Sequence, residues 1–191
     1  MIGDKPSEVK ILAVVGMSGS GKSVAVDYLT SLGVPKVYFG GMIYKEMERR
    51  GIEITPESQR DFRQKIREDE GKDWVVKQVI DETKKLIEAG QRRIVLDGVY
   101  SWTEYKILKH EFPGELTFLA IVVPKRLRYK RVAQRPERPF DRNEIMDRDQ
   151  TEIENLEKGG PIAAADYYIL NDGSISEMHE DLKGILDDIE W

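Results

Sequence analysis

The chain has 191 residues, of which 40% are hydrophobic and 34% charged, with a formal net charge of −5. That balance predicts one globular domain, residues 1–191, large enough to bury its own core without staples, and argues against non-specific nucleic-acid binding. There is no cysteine, and His110 and His179 are the only histidines. Disulfides and thiolate metal sites are therefore excluded, and a histidine-built zinc site or a Ser-His-Asp triad is disfavoured. No apolar run approaches membrane-spanning length, and the first ten residues carry no apolar signal core. A cytoplasmic protein with no membrane partner is the expectation.

Strand and helix patterns alternate, which predicts a mostly parallel sheet covered by helices on both faces. "VKILAVV" is a continuous apolar run, as a central strand buried on both sides requires. The next helix carries Val24, Tyr28, Leu29 and Leu32 at helical spacing and ends at Gly33 and Pro35. "KVYF" reads as a short strand and "IYKEMERRG" as a helix. The following helix opens with Thr55 as N-cap and Pro56 in its first turn. Val75, Val79, Thr83 and Leu86 mark one face of another helix, which stops at Gly90.

"RRIVLDG" is then a strand, and Ser101 with Glu104 has capping-box spacing at the start of a helix. "LTFLAIVV" is a long strand closed by Pro124, "KRLRYKRVAQ" is helical, and two prolines make "RPERPFDR" irregular. "NEIMDRDQTEIENLEK" reads as one helix and "DYYIL" as a fifth strand. Ser174 and Glu177 form another capping box, and Ile175, Met178, Leu182, Ile185 and Ile189 form the core stripe of the last helix. Charge is uneven: Pro124 to Arg148 holds nine Lys/Arg against four Asp/Glu.

The segment "GMSGSGKS", residues 16–23, joins the first strand to the first helix. Gly16, Gly21, Lys22 and Ser23 satisfy G-x-x-x-x-G-K-[ST], and Gly19 adds a further flexible point. Glycines let successive backbone N–H groups turn inward around a phosphate, and the helix start adds free amides and a positive dipole end. The nucleotide-binding set is therefore Gly16, Met17, Ser18, Gly19, Ser20, Gly21, Lys22, Ser23 and Val24. Lys22 would reach the β- and γ-phosphates and Ser23 would ligate Mg²⁺. Asp97, at the end of "RRIVLD", is placed to hold Mg²⁺ through water, because strand ends facing the loop are where open parallel sheets bind ligands. The guanine-reading N-K-x-D motif is missing, which leans towards ATP.

The layout resembles the P-loop nucleotide kinase superfamily, which includes adenylate, cytidylate and dephospho-coenzyme A kinases. It is most similar to an archaeal-type group of nucleotide-kinase-like proteins, through "GMSGSGKS", "FGGMIYKEMERRGIEIT", "IREDEGKDWVVKQV", "VLDGVYSWTEYKIL", "RDQTEI" and "AADYYILNDGS". The resemblance implies an α/β, three-layer P-loop fold with a five-stranded parallel sheet of order 2-3-1-4-5. It implies a helical acceptor-binding insertion at about 41–90 and an arginine-rich lid at about 133–144. The lid would bring Arg135 and Arg138 to the transferring phosphate, with Arg131 on the nucleotide, and "NDGS" would contact the base through Asn171 and Gly173.

The acceptor site departs from the adenylate kinase pattern. In "GGMIY", Gly41 stands at the usual aspartate position and Tyr44 at the usual arginine position. Arg67 is the best replacement clamp, ahead of Arg49 and Arg63, and Tyr100 flanks the same cleft. The expectation is an ATP- and Mg²⁺-dependent phosphotransferase acting on a nucleotide-like small molecule. A dephospho-coenzyme A kinase-like enzyme and a non-catalytic ATP-binding regulator stay open beside it, and no oligomeric state is read from the chain.

Overall fold

The computed structural model describes residues 8–136 and 139–191. Among the described residues five strands form one parallel sheet of order β2-β3-β1-β4-β5, as the resemblance implies. The strands are β1 (Lys10–Val15), β2 (Lys36–Tyr38), β3 (Arg93–Asp97), β4 (Leu116–Val122) and β5 (Tyr167–Leu170). Around them lie α1 (Lys22–Ser31), α2 (Phe39–Arg49), α3 (Pro56–Asp69), α4 (Trp74–Glu88), α5 (Trp102–Glu111), α6 (Lys125–Ala133), α7 (Arg142–Gln150), α8 (Gly159–Ala163) and α9 (Ile175–Asp188).

Alternation along β1 divides the core into two layers. Ile11, Ala13 and Val15 face one side, where α2, α4 and α5 contribute Met42, Val76, Val79 and Leu108. Leu12 and Val14 face the other, covered by Ala25, Val26 and Leu29 of α1 and by Met178, Leu182 and Leu186 of α9. A smaller cluster, Ile43, Met47, Phe62 and Ile66, ties α2 to α3. No described helix is long and apolar enough to cross a membrane.

Several local expectations need correction. Phe39 belongs to α2, which starts directly after a three-residue β2. The long helix expected after the proline-broken segment is α7 followed by a π-turn, Thr151–Asn155. On α4 the expected Val79 and Thr83 are buried and Val75 and Leu86 are partly buried against the core, while Val76 and Ile80 widen the buried stripe. Ile175, expected in the core stripe, is 61% exposed as the first residue of α9, and Leu32, expected at helical spacing on α1, is 57% exposed as its C-cap. The capping boxes at Ser101/Glu104 and Ser174/Glu177 are present, and Thr55 caps α3.

Candidate functional site

β1 ends at Val15 and α1 begins at Lys22, so residues 16–21 form a loop across the carboxyl end of the central strand. The loop is held tightly from outside. A Cβ on Gly19 (φ +88°) would lie 2.4 Å from a Val132 methyl of α6, and one on Gly21 (φ +89°) would lie 2.2 Å from the Asn171 side-chain nitrogen. Left-handed backbone and close approach together leave glycine as the residue that fits. Inside the loop, the Ser20 N–H donates to the Met17 carbonyl at 3.0 Å. The Ser20 hydroxyl, beside Gly16, is buried and has no hydrogen-bond partner among the described residues, a polar group left over within the loop. Gly21→Ala is expected to abolish nucleotide binding, measured by calorimetry, because neither the φ nor the Asn171 contact accommodates a methyl.

Parallel register brings Asp97 to the loop. It pairs with Val14 on β1 and with Tyr38 on β2, so its carboxylate emerges where the loop turns. Lys22 Nζ forms a direct ion pair with Asp97 Oδ1, and Asp97 is only 8% exposed. The two residues read from the sequence as phosphate lysine and metal carboxylate therefore meet each other. Ser23 sits exposed in the first turn of α1.

The loop also has partners that the sequence did not reveal. Arg128 of α6 donates to the Ser18 carbonyl at 2.9 Å and grips Asp149 of α7 with both guanidinium nitrogens, one at 2.7 Å. The Tyr129 hydroxyl donates to the same carboxylate at 3.0 Å. From the other side, the Ser18 N–H donates to Glu152 Oε2 at 3.1 Å. Glu152 lies in the π-turn, buried, and pairs with Arg148 at 3.0 Å and Lys158 at 3.1 Å. Burial pushes the Glu152 carboxyl up, but Lys158, Arg148 and the Ser18 amide outweigh it and hold it below the usual carboxylate range. Burial pulls the Lys158 ammonium below its ordinary value, against the attraction of Glu152. Only the Arg148–Glu152 spacing, one helical turn, was a signal in the sequence. The other contacts join distant segments.

Beside Asp97 opens a cavity of about 800 Å³ between α2, α3 and the π-turn. Tyr38, Phe39, Tyr44 and Tyr100 form its aromatic lining, and Arg60, Arg63, Arg67 and Arg148 outnumber Glu104 in its charged lining. Tyr44 and Arg67 thus face the same space, and the Tyr44 hydroxyl donates to Gln59 at 3.2 Å. Burial raises the Tyr100 hydroxyl, and Tyr38 and Asp97 raise it further, so it stays protonated. Gly41 lies in the first turn of α2, where a Cβ would approach Tyr38 at 3.4 Å.

Asn171 and Arg131 are engaged with the protein itself. The Asn171 amide donates to the Ser20 carbonyl at 2.8 Å, and Arg131 donates to the Asn171 carbonyl at 2.7 Å. Gly173, with Asn171, lines a smaller cavity of about 240 Å³ at the start of α9. Arg135 is exposed just beyond α6, and Arg138 lies outside the described residues.

A parallel sheet of this order, with a glycine loop between β1 and α1 and a lysine–aspartate pair at its mouth, defines a P-loop kinase-like, nucleotide-binding fold. The family model described as "AAA domain" matches residues 12–157. The chain is 32% identical over 182 residues to a UPF0200 protein of Thermococcus kodakarensis, covering 94% of this chain and 97% of that one. It is 35% identical over 179 residues to a UPF0200 protein of Pyrococcus abyssi, covering 92% and 95%. The chain belongs to the UPF0200 family. In fold it is similar to a shikimate kinase from Bacteroides thetaiotaomicron (TM-score 0.59, 12% identity, 95% and 99% covered). A gluconokinase from Sinorhizobium meliloti is similar too (TM-score 0.56, 18% identity, 97% and 96% covered).

Proposed function

We propose that this protein is an ATP-dependent phosphotransferase that moves the γ-phosphoryl group to a nucleotide-like small molecule bearing an anionic group. The observation that carries this reading is the arginine- and tyrosine-lined cavity of about 800 Å³ beside the Lys22–Asp97 pair. A non-catalytic nucleotide sensor has no use for a second, cationic cavity next to the phosphate loop.

The loop amides and Lys22 hold the β- and γ-phosphates. An acceptor oxygen attacks the γ-phosphorus, the bond to the β–γ bridging oxygen breaks, and ADP leaves. The chain's contribution is positioning and charge stabilisation rather than covalent chemistry. Ser23, with Asp97 through water, would hold Mg²⁺, which neutralises phosphate charge when bound. The glycine cradle, the unpartnered Ser20 hydroxyl and the nearby carboxylate are compatible with that load. Residues 41–90 form the acceptor-binding part in this reading, and residues 133–144, with Arg135 and Arg138, the lid. Asn171 acts on the nucleotide indirectly, by fixing the loop at Ser20, while Arg131 and Gly173 border the base.

The test is ADP release from Mg·ATP against a panel of nucleoside monophosphates, nucleosides and dephospho-coenzyme A. One acceptor should trigger release. Binding of ATP with no consumption across the panel would instead favour the regulator. With the active acceptor, Arg63→Ala/Arg67→Ala is expected to raise KM about 10-fold or more and change kcat much less, as loss of ground-state anion binding does. Unchanged KM would remove these arginines from the acceptor site.

A further inference from the structure

Lys158 has no part in the scheme above, yet its position is unusual for a lysine. It directly precedes α8, and its side chain is 5% exposed. Its ammonium meets Glu152 Oε2 at 3.1 Å and lies 5.3 Å from the centre of the Tyr100 ring. Glu152 Oε2 also accepts the Ser18 N–H of the phosphate loop at 3.1 Å, and Tyr100 lines the acceptor cavity. The ammonium is therefore linked through Glu152 to the donor loop and packs on Tyr100, a wall of the acceptor space.

Neutralising Glu152 does not by itself account for this lysine. The other carboxylate oxygen is already paired with Arg148 at 3.0 Å, and the loop amide adds a hydrogen bond. A buried ammonium carries a desolvation cost that one shared carboxylate recovers only in part. Counting the charged groups that meet here, Lys22, Arg148 and Lys158 face Asp97 and Glu152. The cluster is left with an excess positive charge, as a site awaiting an anion should be.

We propose that Lys158 is a second phosphate lysine, whose charge stabilises the γ-phosphoryl group in addition to Lys22. The inference rests on the phosphotransferase reading and deepens it. It assigns a charge for the transferring group to a residue outside both the loop and the arginine-rich segment.

The experiment compares Glu152→Gln with Glu152→Gln/Lys158→Met, so that removing the lysine strands no carboxylate. Dissociation constants for Mg·ATP and Mg·ADP are measured by calorimetry on both variants and on the wild type. The preference for ATP over ADP should fall about 10-fold or more in the double variant relative to Glu152→Gln, the scale of one charge-assisted contact. Affinity for ADP should change little, and Lys158→Arg in the wild-type background should keep the preference. Should the double variant melt below the assay temperature, Glu152→Gln/Lys158→Gln carries the same comparison. An unchanged ATP:ADP ratio overturns the inference and leaves the phosphotransferase reading standing. A wild type that binds neither nucleotide overturns that reading, and this inference falls with it.

Discussion

Lys22→Ala should lower phosphotransfer by about 10³-fold or more while the chain stays folded. Lys22 opens α1, but the helix is anchored on the sheet by the buried Ala25, Val26 and Leu29, which the substitution leaves in place. The structural consequence is confined to Asp97, which loses its ion-pair partner while its side chain is 11% exposed. Stranding a fully buried carboxylate costs about 3–5 kcal/mol. That is the upper bound for Asp97, whose partner is itself 21% exposed, against the roughly 5–15 kcal/mol of a typical domain. Lys22→Ala/Asp97→Asn removes the stranded charge. It should recover part of the melting temperature lost by the single variant and none of the turnover. That split separates the lysine's structural pairing from its work on phosphate. Turnover retained in either variant, measured by ADP release, would sink the assignment of the loop as the donor site.

The phosphate loop was legible because its chemistry is local. Six consecutive residues must bend around an anion, so glycine spacing, lysine and serine are fixed within one short stretch. Strand order was legible only through resemblance, since nothing in the five apolar runs says which neighbours which. Asp97 could be placed because a strand end is a landmark, and parallel register then carries it beside β1. The helix faces of α1, α4 and α9 were read less well. Apolar residues continue past the edge of the sheet, so periodicity marks a stripe but not where its cover stops. Of the network around Ser18 only the Arg148–Glu152 spacing was legible. Arg128 and Asp149 stand 21 residues apart on separate helices, and in the sequence both look like members of a solvated charge run. Burial is what turns two such residues into a specific pair, and burial is a property of the assembled fold.

That hidden pair supports the other large expected effect. Arg128→Ala should destabilise the protein by about 3–5 kcal/mol, the scale of breaking a buried ion pair from one side. For a chain of this length the melting temperature should fall on the order of 10 °C. The substitution leaves Asp149 buried with only the Tyr129 hydroxyl and deprives the Ser18 carbonyl of its donor. Lysine should not rescue it, because one ammonium cannot bind both carboxylate oxygens and a backbone carbonyl in the geometry of a planar fork. Arg128→Met/Asp149→Leu exchanges the pair for apolar side chains and should restore most of the stability. Nucleotide affinity should remain low in that double variant, because the Ser18 peptide is then held only through its N–H to Glu152. Full recovery of both stability and affinity would mean that the pair serves only as packing between α6 and α7. Recovery of stability without affinity would mean that these helices set the position of the donor loop, and with it the alignment on which in-line transfer depends.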